Sequence, residues 1–255
     1  MIDATHDEIL YGRASGAPPL QLWQPTRGPR VGLDAVLLAA WTRRRARARR
    51  FVELGSATGA VSMMLALRFP PPFHVTGLEI QPELVELAQR NRTEGGMGAR
   101  VSFVCGDLRD PSLLPPCSFD GLVVNPPYEA EGRGRPSPVA SRAIARHSAG
   151  RDGASCSIDD VALAASRLLK DRGRLFAVFR ADRMASFVVG MSARGLVPKR
   201  SRTVHPRAGE AAGLSLIECM KGGGEGLIVE PPLVVMGEDG SYTPELLRAY
   251  ELDGI

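Results

Sequence analysis

Short apolar runs and longer amphipathic stretches take turns along this chain, and their periods predict its elements. Apolar runs at 51–54, 75–80, 101–105, 119–124 and 174–179 predict buried strands. Residues 61–69, 82–91, 158–170 and 182–194 carry helical patterns, with Pro82 at a first turn, where its missing N–H costs nothing. Strands alternating with helices predict a parallel, doubly wound α/β sheet with right-handed crossovers. Two β-rich stretches, 196–204 and 213–220, complete it.

The flanks are less regular. Residues 1–33 are rich in glycine, proline and polar residues, with a short strand possible at 20–25. The apolar pattern at 36–41 predicts a helix capped by Asp34. It runs into Arg43, Arg44, Arg45, Arg47, Arg49 and Arg50, either a solvated helix end complementing the dipole or an RNA-contacting patch. After Gly222, Gly223 and Gly224, a last strand at 227–230 and a short helix at 244–250 read as an addition. The expected organisation is an N-terminal segment with a capping helix packed on the core (1–50), a main domain (51–221) and an extension of that domain (222–255).

Composition narrows the class. At 255 residues, 44% hydrophobic and 24% charged, the chain has the profile of a soluble globular protein with room for one large α/β core. Net charge is +4, and 29 of the 32 basic residues are arginines, which suits a polyanionic partner but also follows from codon composition. Cys105, Cys117, Cys156 and Cys219 are widely spaced and make no Cys-x-x-Cys pair, so neither a metal site nor a disulfide framework is expected. No apolar run reaches a membrane span, and the expected location is the cytoplasm.

Candidate chemistry sits at the strand ends. Glu53-Leu54-Gly55-x-x-x-Gly59 is a strand-to-helix turn whose glycines let a ligand approach the backbone. Ala57 occupies the middle-glycine place of a dinucleotide fingerprint, so a pyrophosphate fits less well. Glu79 ends the second strand, placed to accept hydrogen bonds from ribose hydroxyls. Asp107 follows the third, placed to accept from an adenine amine. Three acids on successive strand ends describe a pocket for an adenosine bearing a cationic amino acid, which is S-adenosylmethionine.

The fourth strand stops at Asn125-Pro126-Pro127-Tyr128. Two prolines lock an extended loop, leaving carbonyl acceptors and the Asn125 amide beside an aromatic ring. The bland alternative is a strand end with Tyr128 packed on the core. Residues 129–156 lack periodicity and carry several arginines, so a substrate-gripping lid is expected there. Within them His147 reads as a loop hydrogen-bonder, a lid contact or a proton acceptor.

These residues resemble the class I methyltransferases with an (N/D)-P-P-(Y/F) motif. More closely, the chain resembles the bacterial tRNA adenine-N6 methyltransferases that modify the anticodon loop of a valine tRNA. Gln24-Pro25, Gly28, the segment from Arg30 to Ala40, Glu53-Leu54-Gly55, Asn125-Pro126-Pro127-Tyr128, Ala145-Arg146-His147 and the segment from Asp239 to Pro244 carry the likeness. Pro29 stands where that family usually has an aromatic residue, and Ser56-Ala57-Thr58 replaces a commoner glycine-containing turn. The resemblance implies a Rossmann-like sheet, mostly parallel and seven-stranded with its last strand antiparallel. It implies S-adenosylmethionine held by Glu53, Gly55, Thr58, Gly59, Glu79, Asp107, Leu108 and Asn125. Asn125, Pro126, Pro127 and Tyr128 would act on the substrate, an adenine in RNA. Enzymes that methylate guanine amines or protein glutamine amides share the motif, and an RNA-binding scaffold on a retained fold is the non-enzymatic alternative.

Overall fold

Strand and helix alternate as the apolar periods require. The computed structural model describes residues 3–9, 11–12, 19–28, 30–126, 156–252 and 254–255. An antiparallel hairpin, β1 (Ala4–Ile9) and β2 (Leu20–Pro25), comes first, then α1 (Leu33–Trp41). The alternating part runs β3 (Arg50–Leu54), α2 (Ala60–Arg68), β4 (His74–Glu79), α3 (Pro82–Glu94), β5 (Val101–Cys105) and β6 (Phe119–Val124). It resumes with α4 (Ile158–Leu168), β7 (Leu169–Arg180), α5 (Met184–Ala193), β8 (Leu196–Arg207) and β9 (Leu214–Lys221). Two short strands, β10 (Ile228–Val229) and β11 (Leu233–Met236), and α6 (Pro244–Ala249) follow.

Among the described residues nine strands form one sheet, in the order β10-β8-β9-β7-β6-β3-β4-β5 with β11 also on β8. β3 to β7 pair in parallel, and β9 alone runs against its neighbours β7 and β8. The expected seven-stranded sheet with its last strand antiparallel is therefore present as β3 to β9, and β10 and β11 extend it. Successive residues of a strand face opposite layers. Phe51 enters the core beneath α1 and α2, while Val52 and Leu54 enter the one beneath α4 and α5.

Four expectations need correction. Asp34 is not the cap of α1: Gly32 holds that position without a side-chain bond, and Asp34 sits inside the first turn. The helix ends at Trp41, so the arginines from Arg43 onward lie beyond it. β7 begins at Leu169, five residues before the apolar run, and takes in the expected Asp171–Gly173 turn, where Arg172 has a φ of 57°. β11, hidden behind Pro231 and Pro232, and β1, which lacks an apolar run, were not legible because pairing with a neighbour rather than composition makes them strands.

Candidate active site

The chain leaves β3 for β4 and β5 on one side and returns to β6 on the other, so a crevice opens where the strand order reverses. Leu54 stands beside Leu78 on one flank and Val124 on the other, and Glu79 beside Cys105. The register brings the carboxyl ends bearing Gly55, Glu79, Gly106 and Asn125 to one edge.

The β3–α2 turn is held by its backbone. Gly55 and Ser56 both donate their N–H to the Leu78 carbonyl, at 2.8 and 3.1 Å. Gly55 has a φ of +70°, and a Cβ there would meet nothing within 4 Å, so the space above it is open to a ligand. Gly59 is different: at φ +82° its missing Cβ makes room for Phe103, whose Cζ would lie 2.3 Å away. Ala57 is left-handed too, with φ 45°, a conformation that costs a non-glycine residue about 1–2 kcal/mol. Its N–H donates to Glu79 Oε2 at 2.9 Å.

Glu79 also accepts from the Gln81 N–H, through Oε1 at 3.0 Å. Both oxygens are thus held by backbone N–H groups of the turns that flank them. Burial raises the Glu79 carboxyl above the usual range, opposed by these amide bonds. Glu53 is buried as well: Oε2 accepts from both the N–H (2.9 Å) and Oγ (2.5 Å) of Ser62, tying β3 to the start of α2. Its desolvation pushes the carboxyl up to about 8. The Asp107 carboxylate is engaged by the Arg109 guanidinium, at 3.0 and 2.9 Å from Nε, which holds it below the usual range. Leu108 is half-buried on the core beneath α4.

Thr58 is buried, and its carbonyl accepts from Asn91 Nδ2 at 3.0 Å. Asn91 also accepts from the Trp23 N–H (2.6 Å) and donates to the Trp23 carbonyl (3.0 Å), joining α3, β2 and the turn. Asn91 was missed from sequence, although it completes the buried stripe Leu84, Leu87, Ala88 of α3. A polar residue on an apolar stripe was the available signal.

On the other side of the crevice Asn125 donates from Nδ2 to Asp34 Oδ2 at 2.7 Å. Pro126 is buried. Pro127, Tyr128, His147 and the expected lid lie outside the described residues. The open cradle over Gly55 and the amide-held Glu79 carboxylate fit an adenosine. No group of side chains able to hold a metal occurs among the described residues.

A second feature lies at the amino-terminal side of the sheet. Arg43, Arg44, Arg45, Arg174, Lys199 and Arg200 line a cavity of about 400 Å³. Glu218 pairs with Arg174 and Arg200, and Glu230 with Arg43 and Arg200, leaving a surplus of cations. Burial, then the neighbouring Arg43, brings Arg200 down to about 10.

A methyltransferase-domain family model matches residues 51–133. A tRNA1(Val) (adenine(37)-N6)-methyltransferase of Bacteroides fragilis is 32% identical over 201 residues, 77% of this chain and 79% of that protein. The enzyme of the same name from Tolumonas auensis is 28% identical over 86% of both. The crystal structure of a predicted O-methyltransferase from Agrobacterium tumefaciens superposes with a TM-score of 0.68 at 23% identity, covering 87% of this chain and 97% of that one, a likeness of fold.

Proposed function

Because the chain belongs to the family of tRNA1(Val) (adenine(37)-N6)-methyltransferases, we propose that it methylates the N6 amine of adenine 37 in a valine tRNA, in the cytoplasm. It is an S-adenosylmethionine-dependent N-methyltransferase. The observation that carries the reading is the single edge on which the glycine turn, Glu79 and Asn125 meet. Among the described residues no helix is long and apolar enough to cross a membrane.

Bound in the crevice, S-adenosylmethionine supplies a methyl group already activated by the positive sulfur. Gly55 would leave room for it, Glu79 would accept from its ribose hydroxyls, and Thr58, Gly59 and Leu108 would shape the walls. Glu53 holds the turn through Ser62. Asp107 would share its carboxylate between Arg109 and the adenine amine. The substrate amine is a poor nucleophile because its lone pair is delocalised into the ring. Accepting its hydrogens at Asn125 Oδ1 and the Pro126 carbonyl favours a pyramidal nitrogen with its lone pair aimed at the methyl. No strong base is needed first, since the proton becomes acidic only as the nitrogen gains its methyl. Tyr128 would stack on a base taken out of its loop.

The basic cavity suits phosphates of the RNA backbone. The names of the relatives favour adenine over the guanine and glutamine-amide readings. The test is methyl transfer from labelled S-adenosylmethionine to bulk tRNA lacking modifications, with nucleoside analysis. N6-methyladenosine is expected; methylguanosine, or binding of the methyl donor with no RNA methylation, would overturn the reading.

A further inference from the structure

A carboxamide is nearly symmetric in shape but opposite in chemistry at its two ends. For Asn125 the difference decides the reaction: Oδ1 toward the substrate amine accepts its hydrogens, whereas Nδ2 toward it would set donor against donor. Strand β6 alone does not choose between these orientations, because rotation about the last side-chain bond exchanges them. A contact from α1 favours one of them. An ionised carboxylate only accepts hydrogen bonds, so Asp34 Oδ2, 2.7 Å from the Asn125 amide, can face only its NH2 end.

Asp34 is itself held in place. Its other oxygen accepts from the Ala35 N–H at 2.9 Å. The preceding Gly32 leaves the space that carboxylate fills, since a Cβ there would lie 2.6 Å from Asp34 Oδ1. The helix carrying it is buried from Ala35 to Trp41. The segment leading into that helix is pinned where Gln24 Oε1 accepts from the Val31 N–H at 2.6 Å and Arg30 pairs with Asp7 at 2.8 Å.

We propose that Asp34 is a positioning residue for methyl transfer, locking the Asn125 carboxamide with Oδ1 turned toward the substrate amine, and that Gly32 keeps room for it. The inference rests on the reading of Asn125 as acceptor of the amine's hydrogen bonds. Asp34 does not touch the substrate in this scheme. Its removal therefore lowers the fraction of enzyme in the productive orientation without loosening either ligand.

The test compares Asp34→Ala, Asp34→Asn, Gly32→Ala and Asn125→Ala in the full chain. A charge-assisted bond of this kind governs about a 10- to 100-fold preference; without it the two orientations become equally populated, so the productive fraction, and with it kcat of Asp34→Ala, should fall to about half. Its KM for tRNA and Kd for S-adenosylmethionine should equal those of the parent. Asp34→Asn keeps an acceptor oxygen and should recover part of the rate, and Gly32→Ala should show a smaller loss. The side-chain amide signal of Asn125 in the nitrogen–proton NMR spectrum, identified by its disappearance in Asn125→Ala, should move in Asp34→Ala. Should Asp34→Ala fail to fold, Asp34→Asn and Gly32→Ala carry the same comparison. An unmoved amide signal, or an unchanged kcat in Asp34→Ala while Asn125→Ala is inactive, overturns the proposal alone. Full turnover by Asn125→Ala overturns the reading of Asn125, and the proposal with it.

Discussion

The two walls of the crevice are built differently. The wall proposed for the methyl donor is local: Gly55, Ala57 and Glu79 come from two adjacent strand ends and are joined through backbone hydrogen bonds. The wall proposed for the acceptor is assembled across the chain, with Asn125 just past β6 and Asp34 on α1, 91 residues apart. A wall made of backbone amides tolerates a changed side chain better than one whose orientation hangs on a single ion–dipole contact.

The sharpest way to break that comparison is Asn125→Ala. It should lower turnover about 100- to 1000-fold, as loss of one preorganised polar group does, with the affinity for S-adenosylmethionine retained in calorimetry. Glu79→Gln comes next. Losing the charge weakens binding of S-adenosylmethionine about tenfold or more, with less effect on kcat at saturation, and an unchanged Kd would remove Glu79 from the donor wall.

A pH profile sharpens the role of Glu53. Its folded-state carboxyl titrates near 8 against an ordinary 4.5, so the folded protein holds the proton more tightly than the unfolded chain. This contribution is fully present below 4.5 and is lost as the pH rises through 8. Between those limits the parent should lose stability relative to Glu53→Gln, at up to about 1.4 kcal/mol per pH unit. Urea denaturation at a series of pH values checks it, and parallel profiles would contradict the buried placement. The smallest effect is expected of Ala57→Gly, where relief of left-handed strain and the added freedom of the unfolded chain offset each other to within about 1 kcal/mol.

The same contrast governs what the residues alone disclosed. The parallel strands and the placing of these residues at their ends were legible because apolar runs with acids at their ends are contiguous in sequence: Glu53, Gly55, Glu79 and Asp107 all lie within two residues of the ends of β3, β4 and β5. Asp34 was misread as a helix cap, since a carboxylate at the start of an apolar helix carries the same local signal whether it bonds its own backbone or a side chain on a distant strand. Gly59 was read as space for a ligand, whereas the Phe103 ring fills that space, a contact only the β5 position creates. Asn91, and the partners of the arginine run, escaped for the same reason: they are set by packing. Arg43 to Arg45 read equally as a helix end or an RNA-contacting patch, and their neighbours Arg174, Lys199 and Arg200 come from distant strands.

The most direct test of the central claim is incorporation of labelled methyl into an unmodified valine tRNA transcript and into a counterpart carrying guanine in place of adenine 37. The account predicts methylation of the first and none of the second. Equal labelling of both, or labelling of neither by an enzyme that binds S-adenosylmethionine, would contradict it.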